Sequence, residues 1–155
     1  MKLNIPIMRA AGTDLDFPIP SYQSSGAVGL DMRAYLTEDM RVNGLKLLPR
    51  ERALVSSGFM MGIPEGFEGQ IRARSGLAHK FGIVLANGVG TVDSDYRGII
   101  GILLINLGSE PYVIKHSSRI AQIIIAPVMK VEFSLVTSLL ETSRNQDGFG
   151  STGEN

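Results

Sequence analysis

The sequence predicts an all-β fold, a jelly-roll-like β-barrel or sandwich, on three observations. Its apolar residues fall in short runs rich in β-branched and large side chains, and turn residues punctuate nearly all of those runs. Glycine is in excess: 18 of 155 residues, spread along the chain rather than gathered in one linker, against an average of ~7%. A chain of this length makes one domain around one core.

Taken in order, the strand candidates begin with Leu3–Met8 and Val28–Ala34. Asn43-Gly44 supplies a turn before Ala53–Ser56, and Pro64-Glu65-Gly66 separates Phe59–Ile63 from Phe67–Ala73. Asn87-Gly88 follows Ile83–Leu85, Leu107-Gly108-Ser109 closes Ile99–Asn106, and Ala126-Pro127 ends Ile120–Ala126. Tyr112–Lys115 and Val131–Leu135 complete the set. One short helix is expected over Ser75–Phe81, with Ser75 able to cap it. Ser134–Thr142 reads either as a helix, from its i,i+4 apolar pairs, or as an extended connector. Residues 1–142 then form the folded domain, and 143–155, with one aromatic and no apolar periodicity, form a flexible C-terminal arm. IIGILLIN and IAQIIIAP are apolar almost throughout instead of alternating, so both faces of each strand should be covered. An oligomer follows from that; a monomer with a thick sandwich core is the alternative.

Charge and composition narrow the function. Fifteen Lys plus Arg balance fifteen Asp plus Glu, which argues against coating nucleic acid or anionic lipid through an overall field. Any anion site must be local. Without cysteine there is no disulfide, thiolate nucleophile or Cys-bound zinc, and only His79 and His116 offer imidazoles. The amino terminus lacks the apolar core of a signal peptide, and the longest apolar run, Ile99 to Ile105, is too short to span a bilayer. A soluble, cytoplasmic protein is expected.

Five segments can carry chemistry. In EGQIRARSGLAHK, Arg72 and Arg74 run into Ser75-Gly76 at a helix start, where an Arg, a hydroxyl and backbone N–H groups can grip phosphate; a capped turn with solvated arginines is the plain alternative. In LANGVGTVDSDYRG, a glycine-bearing hairpin tip can read a flat polar ligand edge, and Asp93 after apolar Val92 can act as a partly desolvated general base. Asp93 and Asp95 can equally cap a surface turn. Asp31, in the apolar strand of SSGAVGLDMRA, requires an Arg or a dense hydrogen-bond shell. Gln122, in SRIAQIIIAP, must find a partner for its amide. In RNQDGFGSTG, Phe149 between two glycines suits a lid that stacks on a planar ligand while Arg144 and hydroxyls hold phosphate; disorder is the alternative.

In this order, AVGLDMRA, RSGLAHK, NGVGTVDSDYRG, RIAQIIIAP and R-x-x-x-GFGSTG resemble the five motifs of the trimeric dUTPases, over residues 27 to 153. The resemblance implies a jelly-roll homotrimer that hydrolyses dUTP to dUMP and pyrophosphate in three sites at subunit interfaces. That reaction would supply dUMP for thymidylate synthesis and keep uracil out of DNA. It makes Asp93 the catalytic base that activates water, and Asn87, Gly90, Thr91 and Val92 the hairpin that reads uracil. Tyr96 would pack under the deoxyribose. Arg74, Ser75 and Gly76 would hold phosphates, Gln122 would reach the same phosphates from a neighbouring chain, and Asp31 would support the arrangement from behind. Phe149 would stack on uracil while Arg144, Gly150, Ser151 and Thr152 close the lid. Mg²⁺ is implied as cofactor, held through the triphosphate and water with no direct protein ligand. The last motif departs from the family's R-G-x-G-G-F, because Asn145 and Asp147 replace two glycines. Weaker or slower lid closure is expected. A dCTP deaminase on the same fold, a non-catalytic nucleotide-binding module and a purely structural trimer are the rival readings.

Overall fold

The computed structural model describes residues 3–146. Among these the chain order is β1 (Ile7–Arg9), β2 (Leu30–Arg33), α1 (Glu38–Arg41), β3 (Leu45–Leu47), β4 (Arg52–Ser56), β5 (Phe59–Met61), β6 (Phe67–Ala73), α2 (Ser75–Phe81), β7 (Ile83–Leu85), β8 (Gly90–Val92), β9 (Gly101–Asn106), β10 (Tyr112–Ile114) and β11 (Arg119–Pro127). The strands pair antiparallel in sheets of order β2-β11-β6-β8, β4-β9-β7, β1-β5 and β10-β3. This is an all-β, jelly-roll-like architecture without a closed barrel.

Alternation of side chains aims one face of each large sheet inward. Ile71 from β6, Val92 from β8 and Ile123 from β11 meet Val55 from β4, Ile83 and Leu85 from β7, and Ile102 and Leu104 from β9 in one core. Full burial of each such aliphatic side chain contributes about 1.5–3 kcal/mol. A register shift between Arg119 and Ala121 marks a bulge on the β2 side of β11. It turns both Ile120 and Ala121 inward, after which Gln122 returns to the opposite face, across from Asp31 on β2 and Arg72 on β6.

Several expectations change. There are two helices instead of one: α1 is a single turn with Glu38 and Asp39 at its start and Arg41 at its end, matched to the helix dipole but too short for apolar periodicity. Strands β3 and β8 are added; each is three residues long, and β8 starts on a glycine. Arg74, in extended conformation, is the N-cap of α2, and Ser75 is already helical. Val131–Leu135 forms no strand and Ser134–Thr142 no helix. Without a partner segment, their β-propensity and i,i+4 pairs have nothing to pack on, and Phe133, Leu135, Leu139 and Leu140 are almost fully exposed. The second faces of the over-apolar strands are half covered by the chain itself: Leu103, Ile105 and Ile124 are half-buried, and Leu54, which pairs with Leu103, is 70% exposed. No helix among the described residues is long and apolar enough to cross a membrane.

Candidate active site

At the end of β6, where the strand hands over to α2, two arginines converge on one carboxylate. Asp31 Oδ2 accepts from Arg119 Nη1 at 3.0 Å, and its Oδ1 lies 3.6 Å from Arg74 Nε. Arg74 Nη1 also donates to the Arg119 carbonyl at 2.9 Å, and Arg119 Nη1 donates to Gln23 Oε1 at 3.0 Å. With its side chain only 14% exposed, Asp31 is paired as a carboxylate in a strand must be, and it fixes Arg74 at the mouth of the β6–α2 turn. The Gln122 amide lies at the same end and donates to the Ala73 carbonyl at 3.2 Å. Tyr112 is near enough to feel the Arg74 charge; burial raises its pKa, and Arg74 opposes the rise. Ser75 is exposed, and the Cα of Gly76 faces open space.

The second region is the turn that carries the chain from β7 to β8 and the loop beyond it; the expected hairpin does not form, because β7 pairs with β9 and β8 with β6, in different sheets. Gly88 takes φ +70°, a conformation that favours glycine, and its N–H donates to the Leu85 carbonyl at 3.2 Å. Asn87 and Thr91 are exposed, Gly90 is half-buried, and Val92 is buried in the core. Asp93 is exposed too, so its own chain does not supply the desolvation expected of it. The Tyr96 hydroxyl donates to the Ile99 carbonyl at 3.1 Å, and the ring lies so close over Gly98 that a side chain there would overlap it. Arg97 donates to the carbonyls of Ser94 (2.7 Å) and Tyr96 (2.8 Å), tying the loop into a compact turn. Asp93 and Thr91 open onto a groove also lined by Glu65, Glu68, Asp95 and Lys130.

The two regions are not brought together within one chain. Val92 pairs with Gly69, so Asp93 lies beyond Gly69 on one side while Arg74 lies five residues further along β6 on the other, a Cα separation of roughly 17–20 Å at ~3.3 Å per residue. Of the expected arm, Arg144 is exposed, while Phe149, Gly150, Ser151 and Thr152 lie outside the described residues. Asn145 adopts φ +44°, the left-handed conformation that its glycine-like position requires, and its N–H donates to Thr142 Oγ1 at 3.0 Å. Among the described residues no group of three His, Asp or Glu side chains is placed to hold a metal ion.

Two groupings were not foreseen. Arg119 lies within the RIAQ run, where attention fell on Gln122; the requirement that Asp31 be paired was the signal that points to it. The other surrounds His116, whose ring lies 5.3 Å from both Phe17 and Tyr35. His116 Nδ1 accepts from the Leu36 N–H at 3.1 Å, and Nε2 is 3.9 Å from Asp14, which pairs with Arg41 at 2.8 Å. Accepting at Nδ1 requires the neutral ring. Burial, aided by Arg41, holds the His116 pKa below its ordinary value.

The dUTPase family model matches residues 16–153. The chain belongs to the dUTPase family. It is 53% identical over 147 residues to the deoxyuridine 5'-triphosphate nucleotidohydrolase of Rhizobium johnstonii, covering 95% of this chain and 91% of that protein. It is 47% identical to that of Roseobacter denitrificans, covering 97% of each. Membership makes it an enzyme of the dUTP diphosphatase class. Among solved dUTPase structures, a mutant from phage 80alpha matches with a TM-score of 0.81 at 22% identity, over 97% of this chain and 99% of that one. The G164S mutant of the Staphylococcus bacteriophage 80alpha dUTPase with dUpNHpp matches with a TM-score of 0.79 at 22% identity, over 98% of this chain and 99% of that one. These two share the fold.

Proposed function

We propose that the protein hydrolyses dUTP to dUMP and pyrophosphate by a single water attack on the α-phosphorus, in sites shared between the chains of a homotrimer. The separation of Asp93 from Arg74 along β6 carries the shared-site reading, because Arg74 is tied down to Asp31 and the Arg119 carbonyl at its own end. A triphosphate whose α-phosphorus sits by Asp93 then takes its phosphate grip from another chain. Half-covered Leu103, Ile105 and Ile124 supply apolar surface for such an assembly. The relatives' name and the phage enzyme structure with the dUTP analogue dUpNHpp support the substrate.

In this reading Asp93, exposed in the single chain, is enclosed by assembly and accepts a proton from the attacking water. The water oxygen bonds to the α-phosphorus as the bond to the bridging oxygen breaks, and pyrophosphate leaves. The Asn87–Val92 segment presents the Asn87 amide and strand backbone to the uracil edge. Cytosine reverses that donor and acceptor pattern and would leave buried polar groups unpaired. The Tyr96 ring, backed by Gly98, forms a platform for the deoxyribose. Arg74, Ser75, Gly76 and Gln122 hold phosphate oxygens, and the arm brings Arg144, Phe149, Gly150, Ser151 and Thr152 over the nucleotide. Mg²⁺ would take its ligands from the triphosphate and water and neutralise phosphate charge there. A phage phi11 relative is described with a structural Mg(II) ion. The cellular role is cytoplasmic removal of dUTP and supply of dUMP for thymidylate synthesis.

Pyrophosphate release from dUTP, dCTP, dTTP and UTP, with and without Mg²⁺, tests the proposal. Turnover of dUTP well above the other three, requiring Mg²⁺, is expected; preferred turnover of dCTP overturns it.

A further inference from the structure

The φ of Gly29 lies outside the left-handed region, so its backbone is open to residues with a side chain. What excludes one is occupied space. A Cβ at Gly29 would overlap Gln122 Oε1 and stand 3.0 Å from Gln122 Cδ and 3.2 Å from its Cβ. The Gln122 amide is thus laid across the bare Cα of Gly29, while its Nε2 donates to the Ala73 carbonyl at 3.2 Å. Together these contacts select one rotamer of a flexible side chain, at the end of the sheet where Asp31 and Arg74 meet.

We infer that Gly29 is a positioning residue: its missing side chain is the seat that holds the Gln122 amide in the orientation that meets the substrate's phosphates. This rests on the phosphate role given to Gln122 above. Any side chain at position 29 evicts the amide from its seat, and because the group displaced is the far end of a flexible side chain, the fold is spared.

The test is a cycle of Gly29→Ala, Gln122→Ala and the double variant, assayed on dUTP with thermal melts alongside. Losing a hydrogen bond to a charged phosphate lowers kcat/KM by roughly 10- to 100-fold, so Gly29→Ala and Gln122→Ala should each fall in that range with little change in Tm. The double variant should match Gln122→Ala alone, since once the amide is gone the methyl meets only the Cβ of residue 122 at 3.2 Å, a contact relieved by a shift of a few tenths of an ångström. Wild-type turnover by Gly29→Ala, or a double variant whose loss is the product of the two single losses, overturns the inference. The side-chain NH₂ resonances of Gln122, read by NMR in the full-length protein, separate it from the reading beneath it. If Gln122→Ala leaves turnover untouched, the phosphate role falls, and the inference with it; a shift of those resonances in Gly29→Ala then shows that Gly29 seats the amide without serving catalysis. Resonances unmoved by Gly29→Ala overturn the seating itself.

Discussion

The two ends of β6 are built in opposite ways. At the α2 end, Asp31, Arg74, Arg119, Gln23, Gln122 and Ala73 already satisfy one another within a single chain, so the proposed phosphate grip is set before any ligand or partner arrives. At the β8 end, Asn87, Thr91, Asp93 and Tyr96 are all exposed, and the ties there are backbone turns and the leaning of Tyr96 on Gly98. A cluster of paired charges must be assembled accurately because an unpaired partner is costly, whereas a loop proposed to read a base has to keep its polar groups open for the ligand. The first is a finished part; the second is one half of a mould.

Substitutions at each end should therefore fail differently. The largest effect is expected at the open end: Asp93→Asn keeps the shape, removes the proposed base, and should lower kcat by roughly 10²–10⁴-fold with an unchanged melting temperature, since its carboxylate forms no ion pair among the described residues. Near-normal turnover would take the proton-accepting role from Asp93. At the finished end, Asp31→Asn leaves two guanidinium groups around a neutral amide. It should cut kcat/KM for dUTP by about 10-fold through misplaced Arg74, and it should also lower stability by about 1–3 kcal/mol in urea titrations, a cost the open end does not share. If Asp31→Asn melts as the parent does, the contrast between the ends is weaker than the ion-pair geometry implies.

A smaller effect is expected in the arm. Asn145→Gly combined with Asp147→Gly relieves the left-handed strain at Asn145 and removes a negative charge from the proposed lid, and should raise kcat/KM about 2- to 5-fold. Equal kinetics would show that the family glycines are dispensable here.

The smallest effect concerns His116, just before the Ser117–Arg119 stretch that holds Arg33 and Arg74 through its carbonyls. Because burial, with Arg41, keeps the folded His116 below its ordinary value near 6.5, the unfolded chain takes up the proton first on acidification. The stabilising contribution is complete above about 6.5 and drains away as pH falls through the lowered folded value. His116→Gln, which has no proton to gain, should flatten the decline in melting temperature between pH 7.5 and 5.5 by about 2–4 °C. Parallel curves for the two proteins would place the pH dependence elsewhere.

Much of this was legible in the sequence, for identifiable reasons. Phe67–Ala73, which follows the Pro64-Glu65-Gly66 turn, and the apolar Ile83–Leu85, which precedes Asn87-Gly88, match β6 and β7 residue for residue, as Ser75–Phe81 matches α2. The need to pair Asp31 was legible from a carboxylate in an apolar strand; which arginines pair it was not, because Arg74 and Arg119 reach it only through the register of β2, β11 and β6. Strand β8 was invisible because Thr91-Val92 is too short a β-branched run after Gly90 to read as a strand; pairing with β6 extends it. Val131–Leu135 shows the converse: strong β residues without a neighbouring strand remain unpaired. The apolar residue before Asp93 suggested desolvation, whereas alternation after buried Val92 turns the carboxylate outward.

The distance along β6 also reaches into genetics. If one chain lends the base-reading loop and another the phosphate grip, a defect at either end belongs to a different chain of each site. Asp93→Asn and Arg74→Ala subunits, each dead alone, would then show complementation: every mixed ring contains one site built only from sound parts. Random reassembly of equal amounts would restore about a quarter of the active sites from two inactive preparations.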